Sequence, residues 1–174
     1  MLSTFIAENY AIVRIVVVLA GIACVVLAGV LARAGAKGRR IALVIAGLAT
    51  LVIILLTLTP HGKQLPAADC FLEVDDPLGD IFNVALFLLP ALFIVVAVRK
   101  PVLVLLGGIL FSAGIEVVQQ LLRPVLSRAC DINDWIANST GAAAGVAIAV
   151  VVIAVVDRLA KRRGGASDAR ESDA

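Results

Sequence analysis

Five long aliphatic runs, parted by short polar breaks, organise this chain. Residues 11–32, 41–59, 81–98, 102–122 and 135–156 are almost continuously apolar. At a rise of about 1.5 Å per residue, each run is long enough to cross a hydrocarbon core of roughly 30 Å. The pattern predicts an all-α integral membrane protein, a bundle of five transmembrane helices forming one domain over residues 1–156. The breaks at 33–40 and 99–101 read as tight basic turns, and those at 60–80 and 123–134 as longer loops. Pro60 closes the second run, Pro90 predicts a kink inside the third, and Arg123-Pro124 ends the fourth. Trp135 opens the fifth, where an amphipathic ring suits a membrane interface. Residues 1–10 lack the basic start of a cleaved signal peptide, and the run that follows is too long for one. Arg14 lies near the outer end of the first run and is placed to snorkel. From Asp157 the chain is basic, then reads GGASDARESDA, a composition that predicts a disordered tail over 157–174.

One stretch breaks the aliphatic pattern. Ser112, Glu116, Gln119, Gln120 and Arg123 share one helical face, and Asp131, Asp134, Asn138, Gly141 and Gly145 share another after a short gap. A charge near the centre of a membrane helix costs roughly 2.5–3.5 kcal/mol on insertion scales, so Glu116 needs a partner or water. By helix rise Glu116 lies about 10 Å below Arg123, and Asn138 a similar depth below Asp131. Asp80 and Asn83, at i and i+3, begin the third run on one face. The spacing thus predicts that the third, fourth and fifth helices bring polar groups to one level, facing inward because unsatisfied polar groups in hydrocarbon cost several kcal/mol each. Plainer roles compete. Asp131 and Asp134 are placed to cap a helix N-terminus. Ser112 and Gln120 suit interhelical hydrogen bonds. Gly141-x-x-x-Gly145 suits close helix packing. Glu116 serves equally well as a structural partner of Arg123 or Arg128 or as a functional acid.

Composition agrees with the pattern. The chain is 61% apolar with a mean hydropathy of +1.07, against about 45–50% apolar for soluble domains. A single His and three scattered Cys argue against a His- or Cys-ligated metal, and no cofactor motif is present. The net charge of +2 matters less than its distribution. The two tight turns and the tail hold eleven of the fifteen Lys and Arg. The positive-inside rule then puts the N-terminus outside and the C-terminus in the cytoplasm; topology alone accounts for the basic turns without a specific lipid site. Cys70 and Cys130 fall in the two outer loops, on the oxidising side, which predicts a disulfide between them. Cys24 reads as a small apolar residue within the first span.

The chain resembles the VanZ-like family of bacterial membrane proteins over roughly residues 50–155. The likeness lies in Glu116-x-x-Gln119, followed by Arg128-x-x-Asp131-x-x-Asp134-x-x-x-Asn138-x-x-Gly141-x-x-x-Gly145, and upstream in Asp80-x-x-Asn83 with Phe87 and Pro90. The family is named for a protein associated with resistance to the lipoglycopeptide teicoplanin, so the resemblance implies a multi-pass protein of the bacterial plasma membrane with a role in the cell envelope. The Cys70–Cys130 pairing is not part of the resemblance.

Three kinds of function fit these residues. In the first, a polar pocket in the outer leaflet binds the head group of a membrane lipid or a lipid-linked cell-wall precursor, or changes how a lipoglycopeptide meets the membrane. Arg123 and Arg128 contact phosphate. Asn83, Gln119 and Asn138 supply neutral hydrogen bonds, and Asp80, Glu116, Asp131 and Asp134 hold the arginines. In the second, Glu116 is the general acid or base of an enzyme acting on a lipid-linked substrate, with Asp80, Asp131 and Asp134 able to hold Mg²⁺. No histidine or obvious nucleophile accompanies it, so the reading leans away from catalysis. In the third, Glu116 carries protons in a transporter, but the inner halves of the spans are dry and no inverted repeat is visible. The binder is favoured, with no cofactor and no nucleic-acid partner expected.

Overall fold

A computed structural model describes residues 10–60, 70–75, 81–127 and 130–172. Most of the described residues are helical, with no strand among them beyond one isolated bridge. The helices are α1 (Tyr10–Arg33), α2 (Gly35–Thr57), α3 (Ile81–Val98), α4 (Pro101–Leu121), the single turn α5 (Arg123–Leu126) and α6 (Ile132–Ser172). All but α5 are long and apolar enough to cross a membrane. The bundle therefore has a basic end, at Arg33–Gly35 and Val98–Pro101, and a loop end, where α2 and α4 finish and α3 and α6 begin.

Three boundaries differ from the pattern. The basic segment after Arg33 is not a loop, because α2 already starts at Gly35. Gly35 turns the chain with φ +57°, which glycine adopts without steric cost, and the Ala and basic residues that follow are good helix formers. At the loop end, α6 starts at Ile132, not Trp135. It then runs on through Asp157, Arg158, Lys161 and Arg162, where composition alone predicts an unpacked tail. Asp157 also forms an ion pair with Arg99 (Nη1–Oδ2 2.9 Å). Both groups are partly exposed, so the pair contributes about 0–1 kcal/mol.

Helix α3 is the centre. It packs on α6, α2, α1 and α4, and Phe87, Leu92, Phe93, Val95 and Val96 are buried along it. Gly141 and Gly145 of α6 explain the closest approach. A Cβ on Gly141 would collide with the Val84 carbonyl oxygen, and one on Gly145 with that of Leu88. Two backbones touch there because no side chain intervenes, as expected of a small-xxx-small face. Pro90 is buried inside α3. Arg99 ends the helix in the left-handed conformation (φ 54°), and Arg39 Nε donates to the Ala97 carbonyl (2.6 Å). A cation at a helix C-terminus favours the dipole and satisfies an orphan carbonyl.

The outer helices look different. Ile15, Val16, Leu19, Val26 and Val30 on α1, and Leu43, Val44, Leu48, Leu51 and Leu55 on α2, are exposed. So much contiguous aliphatic surface marks a lipid-facing exterior. Cys24 is half-buried on α1 and packs against the core.

Candidate functional site

The start of α6 gathers most of the polar contacts. Asp131 precedes the helix, and its Oδ1 accepts from the Asn133 N–H (2.8 Å) and the Asn133 Nδ2 (3.0 Å). This is the N-cap role, worth about 0.5–2 kcal/mol. The Ile132 N–H, another orphan donor of the first turn, goes to the Phe71 carbonyl (3.0 Å), and the Phe71 N–H returns to the Cys130 carbonyl (3.0 Å). Residues 70–75 thereby form a strap alongside the start of α6, with one parallel bridge between Phe71 and Asp131. Asn133 ties it further, donating from Nδ2 to the Glu73 carbonyl (2.9 Å) and accepting from the Asp75 N–H (3.2 Å). Cys70 and Cys130 are disulfide-bonded, with Cα atoms 4.9 Å apart.

Glu116 reaches this junction from α4. Its Oε2 accepts from the Asp131 N–H at 2.9 Å, and the residue is 9% exposed. The carboxylate thus lies where the N-terminal dipole of α6 favours negative charge. Gln120, one turn on, accepts from the Cys130 N–H at a longer 3.5 Å. Gln119 is buried and donates from Nε2 to the Thr57 carbonyl (2.9 Å), closing the C-terminal end of α2. Asn83 donates from Nδ2 to Asp134 Oδ1 (2.6 Å), joining α3 to α6. Asn83 and Gln119, which the sequence offers as ligand donors, thus already serve in contacts between helices. Trp135 is half-buried and donates from Nε1 to the Ile109 carbonyl (3.3 Å), lying along α4.

Below Glu116 the seam between α4 and α6 carries unpartnered polar atoms. A Cβ on Gly108 would press on Ala142, so these positions face each other. The helices are antiparallel, so one turn toward the loop end brings Ser112 opposite Asn138, and a further turn brings Glu116 level with the start of α6. Ser112 is 0% and Asn138 4% exposed. Ser112 Oγ and Asn138 Oδ1 have no hydrogen-bond partner, nor has the neighbouring Ser139 Oγ. An unpaired buried polar atom costs about 1–3 kcal/mol, so these atoms point to a water molecule or a ligand hydroxyl in the seam. Two small cavities adjoin Glu116. One of about 200 Å³ includes Leu72, Asp131 and Trp135 in its walls, and one of about 190 Å³ includes Cys70, Gln120 and Cys130.

The structure thus brings Asn83 to Asp134 and Glu116 to Asp131, with Asn138 one turn deeper. Asp80 and Arg128 lie outside the described residues. Among those described, no group of three or more His, Cys, Asp or Glu could hold a metal ion. Sequence reasoning misses Phe71, Glu73, Thr57 and Asn133. The first three act through backbone carbonyls, which no side-chain pattern reveals; Asn133 has a signal in its place two residues after the capping Asp131. Replacing Glu116 with Ala is expected to lower stability by about 1.5–3 kcal/mol, since a charge-assisted bond to the part-buried Asp131 N–H is lost. Glu116→Gln keeps an oxygen acceptor and is expected to lose less. Thermal unfolding of the two purified variants checks this ordering.

A chain of this construction, with five apolar spans and a polar seam in their interior, is a multi-pass membrane protein. A family model described as VanZ/LLP1 matches residues 47–154, more than half of the chain and the whole of the seam. The chain belongs to the VanZ-like family. No curated protein and no solved structure matches it.

Proposed function

We propose that this VanZ-like protein acts in the cell envelope of a bacterium, binding at its loop end the polar head of a membrane lipid or of a lipid-linked cell-wall precursor. The loop end faces outward and the C-terminus lies in the cytoplasm. The charge asymmetry supports that orientation, and so does the Cys70–Cys130 bond, which belongs on an oxidising side. The observation that carries the binding reading is the pair of buried, unpartnered oxygens on Ser112 and Asn138 directly below Glu116. The cavities beside Glu116 are too small for a whole head group, since sites for drug-sized ligands run to about 300–1,000 Å³. A polar tip of the ligand instead enters the seam itself, where Ser112 and Asn138 meet it, while the bonds of Asn83, Gln119 and Asp131 hold the surrounding helices. Occupying this seam changes how a teicoplanin-type lipoglycopeptide engages the membrane, so expression shifts susceptibility to it.

The test is the lipid that travels with the protein. Native mass spectrometry of the wild type is expected to show a retained polar lipid. The double variant Ser112→Ala, Asn138→Leu is expected to lose it while remaining folded, because removing unpaired polar atoms does not destabilise the seam. Undiminished retention by the double variant contradicts the proposal.

A further inference from the structure

We propose that a lateral groove at the basic end of the bundle holds one acyl chain of an anionic phospholipid, with Arg39 and Lys100 meeting its phosphate. This site is separate from the polar seam and goes beyond the function proposed above. A cavity of about 630 Å³ opens between α2 and α4. The two helices meet toward the loop end, where Gln119 bonds to Thr57 and where Ile53, Phe87 and Ile115 cluster. Below that junction the groove opens, floored by Pro90, Ala91 and Ile94 of α3 and by Ala142 of α6. Phe87 and Phe111, with ring centroids 5.9 Å apart, line the groove near that junction.

Length and charge select the occupant. From Lys100 to Phe111 the rise of α4 is roughly 16 Å, close to one leaflet of a core about 30 Å thick. The walls are aliphatic and aromatic apart from Thr50, as suits a hydrocarbon chain. The mouth is cationic: Arg39 and Lys100 both line it. Arg39 uses Nε on the Ala97 carbonyl. The one ion pair among the described residues at this end joins Asp157 to Arg99, so neither Arg39 nor Lys100 has a carboxylate within salt-bridge reach there. Helix α4 also begins at the mouth, adding the positive end of its dipole. A zwitterionic lipid would fill the same groove, but the uncompensated charge prefers an anionic one, by about 1 kcal/mol per basic residue at a membrane surface, or roughly fivefold.

Gly107 makes the groove testable, because it lines the cavity and a Cβ added there meets nothing within 4 Å. The full chain is placed in phosphatidylcholine nanodiscs, and the motionally restricted fraction of spin-labelled phosphatidylglycerol is compared with that of spin-labelled phosphatidylcholine. The wild type is expected to favour phosphatidylglycerol about fivefold or more. Lys100→Glu is expected to cut that preference about fivefold or more. Gly107→Leu is expected to lower the restricted fraction of both lipids with helicity unchanged by circular dichroism. Equal association of the two lipids with the wild type overturns the proposal. A preference that falls in Lys100→Glu but survives in Gly107→Leu places the lipid on the outside of the basic turns and overturns the groove.

Discussion

Replacing both Gly141 and Gly145 with leucine is expected to prevent the bundle from assembling. At these positions α6 meets backbone, the carbonyl oxygens of Val84 and Leu88, rather than side chains that could change rotamer. A leucine at either site forces α6 away from α3, and the two helices form the most extensive contact in the fold. Overpacking a close-packed site typically costs about 1–3 kcal/mol; two collisions with backbone on one face are expected to reach the upper part of that range together, if not exceed it. Helix association in a bilayer depends on such packing because lipid supplies no hydrophobic drive between helices. The readout is a monodisperse peak in detergent, lost in the double variant. Gly107→Leu is the control, since that position opens on empty space. Equal assembly of all three proteins would contradict the packing.

Removing the disulfide is the second large effect. The bond joins residues 60 apart in sequence, and for a soluble chain a closed loop of that size contributes about 4 kcal/mol by restricting the unfolded state. Here that figure is an upper bound, because inserted helices confine the chain ends even when they are not packed. The loss is expected to concentrate in the strap. With Cys70→Ser and Cys130→Ser, the hydrogen bonds that hold residues 70–75 among the described residues are those to the backbone of residue 130 and to Ile132 and Asn133, and the first turn of α6 loses its outer acceptor whenever the strap lifts. Hydrogen exchange is expected to rise at Phe71 and Ile132 while α3 stays protected. Unchanged exchange at both positions in the variant would show that the strap is held without the bond. Non-reducing mass spectrometry of the wild type, in which a Cys70–Cys130 linked peptide is expected, establishes the starting state.

The sequence makes the five spans legible because hydrocarbon thickness sets their length, but it misses the early start of α2 at Gly35 and the run of α6 past Asp157. It does not reveal which span is central. Helix α3 is buried and α1 faces lipid, yet both are almost wholly aliphatic, since the interior of a membrane protein and its exterior are equally apolar. Polar residues alone break that symmetry. Glu116, Asn83 and Asn138 are therefore readable as inward-facing, and the glycines at 141 and 145 as a contact face. The groove between α2 and α4 has no such marker. It arises where two helices part, and its cationic mouth uses residues whose number and position are already explained by topology. The strap is hidden for a different reason: its bonds are made by the backbone of Phe71 and Glu73, next to a cysteine that signals only the covalent link.

The central claim is that α4 and α6 face each other along Ser112 and Asn138 inside the bundle, below Glu116. Its most direct test is a short thiol-reactive crosslinker applied to the full chain in membranes, in a Cys24→Ser background with the native disulfide intact. The pair Ser112→Cys, Asn138→Cys is expected to crosslink within one chain. The pair Leu110→Cys, Asn138→Cys is not, because Leu110 is 71% exposed on the lipid side of α4. Crosslinking by the second pair and not the first would turn Ser112 toward lipid and contradict the account.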